Sequence, residues 1–174
     1  MADRGILEWN GISFENVILR HLSSRYSGSI FLHDLGLYSS YLKKDTQIDI
    51  VFIDTKGVFV IEAKNWKNWV EGNYGDKHWR GQGASREVIT TFNPVNQNFI
   101  HIRALRNAIR RECDEEPVLF HNIVCFPNST TLRTECKEVV NLSYLSLYLD
   151  RILIASKDNI QPEHYKELIE RVTR

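Results

Sequence analysis

Two apolar, β-branched runs, Ile48-Asp-Ile-Val-Phe-Ile53 and Val58-Phe-Val-Ile61, are separated only by Asp54-Thr-Lys-Gly57. Runs this short and this rich in Val, Ile and Phe suit strands buried within a sheet, because a helix needs a longer stretch with a 3.6-residue repeat. Asp-Thr-Lys-Gly is a turn sequence, so the two runs pair as an antiparallel hairpin. A hairpin this apolar belongs inside a domain. The composition supports one: 174 residues, 43% hydrophobic and 25% charged, are read as a single domain over 1–174 with a sizeable core. The same figures exclude disorder, collagen and a minimal disulfide scaffold.

Around the hairpin the apolar period changes. Phe14, Val17, Ile18 and Leu22 recur at spacings of three and four, which predicts an amphipathic helix over 11–26 with Ser13 as its N-cap. Ser29–Leu37 alternates as a strand, and Tyr38–Asp45 reads as a polar connection. Trp69–Gly72 and Lys77–Arg80, on either side of Asn73-Tyr-Gly-Asp76, predict a second hairpin, while 81–91 reads as a loop. Asn93-Pro94 starts a helix that Phe99, Ile102, Leu105 and Ile109 carry to about Arg111. A strand over 118–126, a short edge strand over 137–140, a helix over 142–153 and a last helix from Pro162 to Val172 follow. No apolar stretch approaches the roughly 18 residues of a membrane span, and the first residues lack the apolar centre of a signal peptide, so a cytoplasmic protein with no membrane contact is expected. Cys113, Cys125 and Cys136 make no C-x-x-C pair and are expected to be reduced and mostly buried.

The chemistry-bearing residues lie on the apolar hairpin. Glu62 and Lys64 directly extend Val-Phe-Val-Ile and, two residues apart on a strand, leave from the same face. Antiparallel pairing across the 54–57 turn brings Asp49 beside them. An acid-x-Lys spacing arises by chance about once in a chain of this composition and occurs here three times, so the spacing itself carries no information. The context does, because charged groups at the end of a buried strand cost free energy unless they are paired or bound to a cation. One reading is a structural ion-pair cluster of Asp49, Glu62 and Lys64. The other is metal-assisted phosphodiester cleavage. In that case Asp49, Glu62 and the backbone carbonyl of Ala63 hold Mg²⁺, which accepts carboxylates, carbonyls and water, and Lys64 orients or deprotonates the attacking water.

Several motifs in one order sharpen the choice. Gly11-x-x-Phe-Glu15, His33-Asp-Leu35, Thr46-Gln-Ile-Asp49, Gly57-Val-Phe-Val-Ile-Glu-Ala-Lys-Asn65, Trp79 and Asn93-Pro-Val-x-Gln97 together resemble the NERD, or nuclease-related, domain, a branch of the PD-(D/E)xK restriction-endonuclease-like superfamily. The likeness covers Gly11 to Arg111 and continues more loosely through Val118–Phe126, giving a family-like core over about 11–126 and a C-terminal extension over 127–174. The resemblance implies a mixed α/β fold, with a restriction-endonuclease-like mixed central β-sheet flanked by helices. It implies Asp49, Glu62 and Lys64 as the nuclease triad, Glu15 as a further acidic metal-site residue, and Gln47 and Gln97 close by. Ile48 stands where the family motif has Pro, a position that shapes backbone and supplies no ligand. Gln97 and His101, one helical turn apart, can face the same cleft, although His101 reads as a helix-surface residue rather than a ligand.

A formal net charge of zero removes whole-molecule attraction to nucleic acid, but the charge is segregated. Residues 63–111 carry nine basic against three acidic side chains, +6, between flanks of −2 and −4. Arg103, Arg106 and Arg110 make a basic ridge on the helix after Pro94, and with Lys67 and Gln97 are the expected nucleic-acid contacts. Trp66, Trp69, Tyr74 and Trp79 interleave with basic residues and suit either base stacking or ordinary packing. The sequence expectation is therefore a nuclease dependent on Mg²⁺, with Mn²⁺ an alternative ion and DNA the expected substrate. A homodimer is suggested by analogy with restriction-like enzymes. The competing reading is a non-catalytic nucleic-acid-binding or assembly module that retains the fold.

Overall fold

A computed structural model describes residues 13–82, 86–115 and 118–174. Helix α1 (Phe14–Arg25) begins where the sequence places its cap, with the Ser13 hydroxyl accepting from Asn16 N; the predicted start at Gly11 lies outside the described residues. Strands β1 (Ile30–Ser39), β2 (Lys44–Asp54) and β3 (Gly57–Ala63) follow as an antiparallel meander, and β7 (Phe120–Phe126) and β9 (Val139–Asn141) then add in parallel. The result is a mixed five-stranded sheet in the order β1-β2-β3-β7-β9.

The alternation along β2 and β3 explains why helices cover both faces of this sheet. Val51, Ile53, Val58 and Val60 point to α2 (Pro94–Cys113) and α4 (Pro162–Val172), which contribute Leu105, Ile109, Leu168 and Ile169. Ile50, Phe52, Phe59 and Ile61 point to α1 and α3 (Leu142–Ala155), which contribute Ile18, Leu22, Leu145 and Leu149. The apolar hairpin is thus the middle layer of a three-layer stack, every residue from Ile50 to Ile53 and from Gly57 to Glu62 being buried.

The predicted second hairpin is present as β4 (Lys67–Glu71) and β5 (His78–Gln82), but it belongs to a separate four-stranded sheet, β6-β5-β4-β8, that sequence patterning did not anticipate. Strand β6 (Val88–Phe92) falls in the stretch read as a loop, and β8 (Thr131–Arg133) follows a turn too polar to signal a strand. The predicted connection at Tyr38–Asp45 is half strand, since β1 and β2 stay paired out to Ser39↔Lys44 and only residues 40–43 form the turn. This small sheet packs on the end of the large one through Val70, Trp79, Val124, Phe126 and Val139. No helix among the described residues is long and apolar enough to cross a membrane.

Candidate active site

Register brings the acids together. Ile50 pairs with Ile61, so Asp49 and Glu62, one step outward on each strand, stand opposite one another at the end of the β2–β3 ladder. The sheet is irregular at this point. Ile48 belongs to the α2-side core with Val51 and Ile53, whereas Ile50 belongs to the α1-side core, so the two-residue alternation breaks at Asp49. Across on β1, Asp34 has φ +58°, and the Asp34–Asp49 pair drops out of a register otherwise intact from His33↔Ile50 to Leu35↔Ile48.

Asp49 Oδ2 accepts from the Ala63 amide at 2.8 Å, which leaves Oδ1 for a ligand. Lys64 follows the last residue of β3, its amide bonded to the Cys125 carbonyl at 2.9 Å as a continuation of the parallel ladder. That anchoring points its side chain back to Glu62, with Nζ 2.7 Å from Oε1. Gln97, in the first turns of α2, closes the group: its Nε2 donates to Glu62 Oε1 at 2.8 Å and its Oε1 accepts from Lys64 Nζ at 3.1 Å. Asn93 fixes the start of that helix by accepting from the Val95 and Asn96 amides.

The two carboxylates differ in electrostatics. Burial, and then the facing Glu62 charge, push the Asp49 carboxyl up to about 8; Glu15 on α1 adds to the rise, and the Ala63 amide and Lys64 oppose it. Burial also acts to raise Glu62, but Lys64 and His101 outweigh it and hold that carboxyl below its ordinary range. Glu62, only 3% exposed, is the ionised member of the pair. The Glu62–Lys64 part of the structural ion-pair reading is present. Asp49 stands outside it, as an acid pressed against a second acid.

These groups suit a hard divalent cation. Among the described residues no three His, Cys, Asp or Glu side chains cluster as a metal site, so an ion here would rely on the Asp49–Glu62 pair with backbone oxygen and water. Mg²⁺ is commonly held by one or two carboxylates while keeping several waters. The open Asp49 Oδ1, beside the facing Glu62 carboxylate, and the raised Asp49 carboxyl both fit a site that a cation completes.

Residues 10–127 match the model of the nuclease-related domain, NERD. The chain belongs to that family. An uncharacterized protein of Bacillus anthracis is 30% identical over 192 aligned positions, spanning 97% of this chain and 88% of that protein. No solved structure matches the chain. The nuclease-related match ends before β8, β9, α3 and α4, yet α3 and α4 supply buried residues to both faces of the central sheet.

The remaining expected site residues of the nuclease-related domain divide. Glu15 is exposed in the first turn of α1, and its field reaches Asp49. Gln47 is exposed and donates to Asp34 on β1. Gln97, expected close to the site and as a nucleic-acid contact, is hydrogen-bonded to Glu62 and Lys64. Lys67 is half-buried at the start of β4, three residues past Lys64. At about 100° per residue, Arg103, Arg106 and Arg110 sit roughly 120–180° around α2 from Gln97, and Arg103 lies 5.0 Å from the Tyr41 ring centroid. Phe99, read as part of the apolar face, shares the arginine side and is 57% exposed. Trp79 is fully buried with its indole N–H on the Asn73 carbonyl, and Trp66 packs edge-on against Phe126, so both serve packing.

Sequence reasoning missed one residue of the cluster. His101 is 4% exposed, not a surface residue, and its Nδ1 lies 3.3 Å from Glu62 Oε2. The only signal was its spacing, four residues after Gln97 on one helix face.

Proposed function

We propose that this chain is a nuclease dependent on Mg²⁺ or Mn²⁺ that hydrolyses phosphodiester bonds, with DNA as its substrate. The observation that carries the reading is Asp49, an acid kept out of the Glu62–Lys64 ion pair, facing Glu62 and pushed up to about 8. A purely structural ion-pair cluster has no need of it. Asp49 and Glu62 hold the ion, with the Ala63 carbonyl and water completing its oxygen shell and the Glu15 charge on α1 adding to the acidic surround. When bound, it supplies Lewis-acid charge at the phosphoryl oxygen and acidifies a bound water. Lys64 Nζ, as the free amine, would orient the attacking water and take its proton, and Gln97 Oε1 holds Nζ in place by accepting one of its N–H groups. Lys67 meets the substrate backbone near the site, and Arg103, Arg106 and Arg110 extend a basic surface around α2.

One observation favours a second reading, a non-catalytic binding or assembly module: Glu62, Lys64 and Gln97 already satisfy one another without a cation. Incubation with supercoiled, linear and single-stranded DNA and with RNA, in Mg²⁺, Mn²⁺ or EDTA, separates the two. The nuclease reading expects cleavage that EDTA abolishes and that Lys64→Ala lowers by at least about a hundredfold, as loss of a general base does. Absence of metal-dependent cleavage on every substrate overturns it in favour of the module, and undiminished cleavage by Lys64→Ala overturns the assignment of the site.

A further inference from the structure

The two oxygens of Glu62 are held differently. Oε1 takes donors from Lys64 and Gln97 at 2.7 and 2.8 Å. Oε2 is buried and accepts no hydrogen bond, and the atom facing it at 3.3 Å, His101 Nδ1, is buried and equally unbonded. Leaving two such atoms unmade is costly, whereas an apolar side chain at position 101 would fill the space between α2 and β3 without burying a nitrogen. The pair lies within hydrogen-bond range and falls short in alignment.

We infer that His101 is a positioning residue: by donating from Nδ1 to Oε2 it fixes the plane of the Glu62 carboxylate and so the direction in which Glu62, beside Asp49, presents oxygen to a divalent cation. This rests on the metal-dependent reading above. Groups that hydrogen-bond a ligating side chain fix its orientation, and their loss typically weakens metal binding about ten- to hundredfold. Gln97 does this for Oε1, and His101 is the counterpart for Oε2. Both project from α2 one turn apart, so a single helix sets both oxygens.

The two roles open to a buried imidazole, packing and donation, give opposite rankings of two variants. His101→Phe keeps the ring volume and removes the donor. His101→Asn loses volume but places an amide N–H where Nδ1 stood. Mn²⁺ titration calorimetry on the full chain is expected to show about a ten- to hundredfold loss of affinity in His101→Phe and near wild-type affinity in His101→Asn. Wild-type affinity in His101→Phe, or equal loss in both variants, overturns the inference. If His101→Phe does not fold, His101→Leu takes its place. Should the wild type bind no Mn²⁺, the metal reading falls, and the Glu62 carboxyl carbon resonance of the metal-free protein decides the rest. A resonance displaced in His101→Phe and unmoved in His101→Asn supports positioning by His101; displacement in both or in neither overturns it.

Discussion

With no cation beside it, Asp49 lowers the stability of the fold at neutral pH. Its carboxyl titrates near 4 in the unfolded chain and about 8 in the folded one, so between those values the folded state binds the extra proton. Stability from this group is full below pH 4, declines as pH rises, and is lost above pH 8. Asp49→Asn, which keeps an acceptor for the Ala63 amide, is therefore expected to stabilise the metal-free protein at pH 7 by on the order of 1–4 kcal/mol and to flatten the decline. Urea unfolding at pH 4.5, 6, 7 and 8.5 checks both. A variant weaker than wild type at every pH would restore the structural ion-pair reading. Mg²⁺ should reverse the wild-type deficit and release a proton on binding, visible as a buffer-dependent heat. Asp49, Glu62 and Lys64 were legible because strand alternation and hairpin register are enough to converge them. His101 was not, because its burial depends on how α2 rotates against β3, and the positions that settle this, Ile102, Leu105 and Ile109, are equally compatible with an exposed or a covered flank.

The strands buried on both faces announced themselves by composition, whereas β6 and β8 did not. Val88-Ile-Thr-Thr-Phe92 and Thr131-Leu-Arg133 are short and largely exposed, and are held by backbone pairing to β5 and β4. The small sheet they complete matters to the site because the link from β3 to β4 runs through Lys64, Asn65 and Trp66. Trp66 anchors that link: its carbonyl accepts from Thr130, and its ring lies over Gly81 of β5, where an added Cβ would approach to 2.4 Å and also meet the Trp69 carbonyl at 3.1 Å. Gly81→Ala must push the indole from its seat against Phe126. Overpacking of this kind costs about 1–3 kcal/mol, and the displaced link should carry Lys64 off Glu62. Thermal unfolding and a change in tryptophan emission report the first effect, and loss of Mn²⁺-dependent cleavage the second. A variant with unchanged melting and emission would mean that the glycine is not required by the indole.

For the whole molecule, zero net charge conceals a +6 segment that reaches the acidic pair through Lys64 and Gln97, since β4, β5, β6 and most of α2 lie within 63–111. The segregation was legible by counting. Its direction was not, since the arginine ridge turns away from Gln97 and the β1–β2 hairpin brings Tyr41 against Arg103. Lys67 and Arg110 therefore stand in different relations to a bound strand. Lys67 is within three residues of Lys64, at most about 10 Å along the chain, whereas Arg110 is more than three turns of α2 from Gln97, about 20 Å along the axis. Each phosphate neutralised by the protein adds about −0.9 to the slope of log affinity against log salt on duplex DNA. Lys67→Glu should flatten that slope by about one and weaken binding of a short duplex, measured in Ca²⁺ to hold back cleavage. Arg110→Glu should leave the slope for a duplex of about ten base pairs nearly unchanged and flatten it only for longer ones, which can reach around α2. Equal effects of the two substitutions at both lengths would place the ridge and the acidic pair on one continuous face, contrary to the rotation of α2.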